Sequence, residues 1–142
     1  MTDQDSQSST WKTAAILVAR LIMAALFAMA LAGKVFMSGM IADQIGKAGF
    51  PFPMALNWLA ALFELGLVLA FLTGAFFREA NILGAVYVIF LAFAFHFVSH
   101  WTDAEGLNFG AFVSHFPMAA GMLFAAVNGP GRVLVLKWGW LK

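Results

Sequence analysis

The chain has 142 residues, 63% of them hydrophobic and 11% charged, with a mean hydropathy of +0.88. A soluble domain is about 45–50% apolar and about 25% charged, and a domain this small cannot hide such an excess from water, so the composition excludes a free-standing soluble protein as well as a disordered one. Eight basic against seven acidic residues, with no Lys/Arg run, argue against a nucleic-acid partner, and the lack of cysteine excludes disulfides, dithiol exchange and thiolate-bound metal or iron–sulfur clusters within the chain.

Residues 1–10 (MTDQDSQSST) are polar and read as a disordered tail. They lack the basic lead of a signal peptide, and the apolar stretch behind them is long enough to span and stay. A crossing helix needs about 20 predominantly apolar residues. Four segments meet this, at 13–33, 54–77, 80–100 and 109–127, within one domain over 11–131. Pro51 and Pro53 suit the entrance to the second span, and Arg78 is expected to close it at its negative dipole end. Asn128-Gly129-Pro130-Gly131 stops the fourth. The tail 132–142, with Trp138 and Trp140, is too short to cross and suits the membrane interface.

The fold class expected is therefore an all-α integral membrane four-helix bundle, up-down-up-down, in contact with the lipid bilayer. Lys12, Arg78, Arg132, Lys137 and Lys142 fall on the side holding both termini, and Lys34 and Lys47 on the other, which places both termini in the cytoplasm. Ala24, Ala28 and Ala32 form a small-residue ridge on the first helix, and Gly66 with Ala70 on the second; such ridges allow close packing or homo-oligomers.

Candidate site residues are those the bilayer should reject. Arg20 sits in the first span, Glu64 in the second, His96 in the third and His115 in the fourth. At about 1.5 Å per residue, Glu64 and His115 lie roughly 19 and 18 Å from the terminus-bearing end, and His96, roughly 24 Å from it, leans back toward them. These three are expected to meet. Arg20, at about 10 Å, either bridges toward Glu64 or snorkels to the interface. Asn57 shares the face of Glu64 and can line the same cavity.

His96 and His100 have i, i+4 spacing, but nothing else in the chain supports a metal or a haem, and no metal site is assigned. Pro117 breaks the fourth helix two residues after His115 and marks that region as a candidate ligand pocket. Phe90, Phe93, Phe95, Phe97, Phe112 and Phe116 could wall a flat hydrophobic ligand there.

Val18-Ala19-Arg20-Leu21 through Gly33-Lys34, then Gly49-Phe50-Pro51, Glu64-Leu65-Gly66, Gly74 with Arg78, His96, and Gly129-Pro130-Gly131 together resemble the DoxX family in order and spacing. Early in the fourth helix, where that family usually has Lys-Asn, this chain has Ser114-His115, so Ser114 joins the candidates. The resemblance implies a bacterial inner-membrane protein tied to a redox system, a subunit that binds a quinone or similar lipophilic molecule and works with a redox partner protein. The alternative is a non-catalytic scaffold that assembles a partner complex.

Overall fold

The structure, a computed structural model, describes residues 3–97, 106–136 and 138–141. Within these residues the chain forms five helices and no strand: α1 (Asp3–Phe36), α2 (Ser38–Lys47), α3 (Pro53–Thr73), α4 (Phe77–His96) and α5 (Leu107–Asn128). Four of them are long and apolar enough to cross a membrane: the Thr10–Phe36 part of α1, then α3, α4 and α5. The all-α membrane bundle expected from the sequence is what the chain forms.

Several boundaries differ from the expectation. α1 starts at Asp3, so the backbone of the polar leader is helical. A fifth helix, α2, lies between the first two expected spans. It is ten residues long and buries only Ala42 and Ile45, too short a signal to stand out from turn sequence. The second crossing ends at Thr73, because Gly74 takes the left-handed conformation (φ 72°) and returns its N–H to Ala70 O. Arg78 therefore does not close that helix; it lies in the first turn of α4 and caps a different one.

The helices associate as two pairs, α1 with α3 and α4 with α5, joined through α3 and α4. Small residues set the approach: Ala24 of α1 is buried, and Gly84 of α4 sits where a Cβ would fall 2.2 Å from Met122 Cε of α5. Gly66, by contrast, has open space around it, so that half of the expected α3 ridge is unused within the chain. The core runs through Phe27, Leu67, Phe71, Phe77, Val88 and Met122, and large apolar side chains such as Val86, Leu62 and Phe124 cover the outside. An apolar exterior around a small core is the pattern a bilayer solvent favours.

This core fills the half of the bundle nearest the termini. There the segment after α5 folds back: Leu136 N–H bonds to Thr73 O at 2.9 Å, and Glu79 accepts the backbone N–H groups of Trp140 and Leu141. Toward the α2 end the two pairs part, and the space between them is the site.

Candidate functional site

The cavity at the α2 end has a volume of about 700 Å³. α2 contributes Ile41 and Ile45, and α3 contributes Leu59 and Phe63. Phe50, in the α2–α3 connection, packs against both Phe90 and Phe95 of α4 with ring centroids 6.0 Å away, which roofs the space. Leu59 and Phe90 are lining residues that are also 63% and 49% exposed, so the cavity opens sideways onto the apolar outer face. Its polar members include Lys34, Tyr87, His96 and His115.

The aromatic wall is thus only part of what the sequence suggested. Phe90 and Phe95 line the cavity, whereas Phe93, Phe97, Phe112 and Phe116 stack on one another across the α4–α5 seam. Pro117 is exposed and is not part of the lining; His115, two residues earlier, is.

Glu64 lies directly behind the cavity wall at 1% side-chain exposure, with Lys34 at 13% in front of it. Its Oε1 accepts from Lys34 Nζ at 2.8 Å and from the Tyr87 hydroxyl at 2.9 Å. Its Oε2 is buried, with no hydrogen-bond partner among the described residues. The meeting follows from helix direction, because side chains lean toward the N-terminus of their own helix. Lys34, in the last turn of α1, turns back into the bundle, and Glu64, on the returning α3, leans toward the α2 end. Lys34 and Tyr87 belong to the site without being among the sequence candidates: Lys34 stands one residue beyond the first expected span.

Asn57 is fully buried, and its amide donates to Lys34 O at 3.1 Å, capping a carbonyl in the last turn of α1. The two histidines do come together, with ring centroids 5.5 Å apart, but Glu64, expected to join them, bonds to Lys34 and Tyr87 instead. His115 Nδ1 lies 2.6 Å from Ala111 O, which can only accept, so Nδ1 carries the proton and Nε2 of the neutral ring is an acceptor. His96 Nδ1 faces Asn108 Oδ1 at 3.0 Å. Ser114 is exposed and bonds to Ala111 O of its own helix, away from the cavity. His100 lies outside the described residues. Among the described residues, no group of three or more His, Asp or Glu could hold a metal ion.

Arg20 does not bridge to Glu64. It turns toward the terminus-bearing end, is 1% exposed, and its hydrogen-bond partners are all backbone carbonyls. Nε donates to Phe71 O at 2.9 Å, and the two terminal nitrogens to Leu72 O, Pro130 O, Val133 O and Leu134 O at 2.7–3.1 Å. Five N–H groups meet five acceptors, clasping the C-terminus of α3 and the segment after α5. Arg78 repeats the device on the other pair, donating to Ala126 O and Val127 O at the end of α5. A cation at the negative end of a helix is favoured in both places.

The geometry yields an apolar, laterally open chamber with a strong donor backed by an acid at one point and imidazoles at another. Among known proteins, no curated protein and no solved structure matches the chain. The family model described as DoxX does match, over residues 15–97, from α1 to the end of α4, so that His115 and the rest of α5 lie beyond it. That match covers more than half of the chain, which belongs to the DoxX family.

Proposed function

We propose that the chain binds a lipophilic molecule, a quinone or a similar ring compound, as the membrane subunit of a redox system. The observation that supports this most is the 700 Å³ chamber itself, which has aromatic walls and a rim, at Leu59 and Phe90, on the lipid-facing surface. A few polar groups converging in a largely apolar cavity is the usual form of a small-molecule site. Lys34 is the group that can donate to a ligand carbonyl. His115 can do so only as an imidazolium and, when neutral, instead accepts from a ligand hydroxyl. Glu64 holds or moves a proton next to Tyr87. The chain has no cysteine and so no dithiol of its own; in this reading a redox partner protein exchanges electrons with the bound molecule.

Extraction of lipids from the purified protein, together with a quinone-dependent thermal shift, tests the reading: a co-purifying quinone and a raised melting temperature are expected, and neither would appear if it is wrong. A second reading, a scaffold for a partner complex, draws support from Arg20 and Asn57, whose side-chain hydrogen bonds run to backbone carbonyls of this chain. Glu64→Gln with His115→Ala separates the two: intact folding with lost ligand binding favours the first, loss of folding the second.

The membrane we propose is the bacterial inner membrane, with both termini in the cytoplasm. Lys12 and Arg132 sit at the terminus-bearing end, whereas Lys34, paired inside the bundle, drops out of the opposing count and leaves Lys47 there. Asp5→Cys should resist an impermeant thiol reagent applied to intact cells; labelling would reverse the orientation.

A further inference from the structure

We infer that the Lys34–Glu64 pair reads the head group of the ligand, admitting neutral hydrogen-bond acceptors and rejecting anions. This rests on the ligand-binding reading above and narrows its substrate class. Lys34 lines the chamber and Glu64 stands behind it, so a ligand meets the ammonium first. Among the described residues, Nζ has one partner, Glu64 Oε1, and an ammonium carries three N–H groups, so donor capacity remains on the chamber side.

The charge of that donor is already balanced from behind. A carbonyl oxygen therefore gains a charge-assisted hydrogen bond without adding charge to the site. A carboxylate or phosphate would leave two anions sharing one cation in a place of low dielectric, after losing its own hydration. Tyr87, fixed on the same Glu64 oxygen, holds the carboxylate in place and keeps it from turning toward an incoming ligand. The lateral rim at Leu59 and Phe90 adds a second filter, since what enters from lipid is already neutral and apolar over most of its length.

The test uses the full chain in lipid nanodiscs and two probes of matched chain length, a decyl-substituted benzoquinone and decanoate, with empty nanodiscs as the partition blank. Wild-type protein should bind the quinone at least about ten-fold more tightly than the acid, the scale of one charge-assisted hydrogen bond. Glu64→Gln leaves Lys34 without a counter-charge and should erase or reverse that preference. The double variant Lys34→Met with Glu64→Gln removes both charges without stranding either and should lose the quinone by about ten-fold while gaining no decanoate. If Glu64→Gln does not fold, the double variant decides, because an unchanged preference there overturns the inference.

A wild type that favours decanoate, or a preference that survives Glu64→Gln, overturns the head-group inference and leaves the chamber as a binding site. If neither probe binds above the blank, the ligand-binding reading falls, and the inference falls with it.

Discussion

At the terminus-bearing end of the bundle, Arg20 gives all five of its N–H groups to backbone carbonyls; at the α2 end, Lys34 gives one to Glu64 and faces a chamber with the rest. Both are cations on the same helix, and both follow the same lean toward its N-terminus. The lean carries Arg20 to the C-terminus of α3, where orphan carbonyls wait, and carries Lys34 toward the middle of the bundle, where an acid waits. One end is a saturated clasp over a packed core of Phe27, Phe71 and Phe77; the other is a partly satisfied pair beside empty volume. A saturated buried cation rigidifies, whereas one with donors to spare is suited to binding. The polar chemistry of the two ends differs more than their composition.

The strongest way to break this contrast is Arg20→Ala. It leaves five buried or partly buried carbonyls without their donor, and the expected cost is about 4 kcal/mol or more, enough to lose a monodisperse folded species in detergent by size-exclusion chromatography. Arg20→Lys should rescue little, because three N–H groups on a flexible stem cannot meet five fixed acceptors. Next in size is Lys34→Met, which strands Glu64; about 3 kcal/mol is expected by thermal unfolding, with at least half recovered when Glu64→Gln is added. If the double variant were as unstable as the single, the pair would be cementing the fold in the manner of Arg20.

Gly84→Ala probes the packed half from another side. Its new Cβ meets the flexible end of Met122, which can move, so a loss of about 1 kcal/mol is expected rather than a collapse. His115→Ala should cost less than about 1 kcal/mol of stability, being a partly buried side chain whose hydrogen bond stays within its own helix, while reducing ligand affinity. Lys47→Ala, which removes an exposed i, i+4 pair with Asp43, should stay within about 0.5 kcal/mol and serves as the control.

Sequence reading found the four crossings because hydropathy is a property of each segment by itself. By counting depth along the helices it also brought His96 and His115 together, but not Glu64, which the same count placed with them and which bonds to Lys34 and Tyr87. It could not find the partners of Arg20: backbone carbonyls carry no residue identity, so no pattern marks Phe71 or Val133 as acceptors. Lys34 was within reach. The lean rule applied to His96 would have turned it inward too, had the first span been carried three residues beyond Gly33 to Phe36. Ser114 fails for a rotational reason, as about 100° separates neighbours on a helix and His115 already takes the inward direction. Gly74 ended α3 earlier than composition suggested, because a left-handed glycine stops a helix as firmly as the proline-rich joint that begins it.

The clasp around Arg20 also has a consequence for how the protein is made. Its last acceptor, Leu134, follows it by 114 residues in the chain. At about 5–20 residues per second of synthesis, that acceptor emerges about 6–23 s after the arginine. Early in that interval none of its acceptors has been made, and once α3 is complete two of them have, Phe71 O and Leu72 O. The other three N–H groups wait for Pro130, Val133 and Leu134, behind the last crossing. The clasp is therefore completed from the C-terminus, and a chain cut short after α5 would keep only the two bonds that α3 supplies.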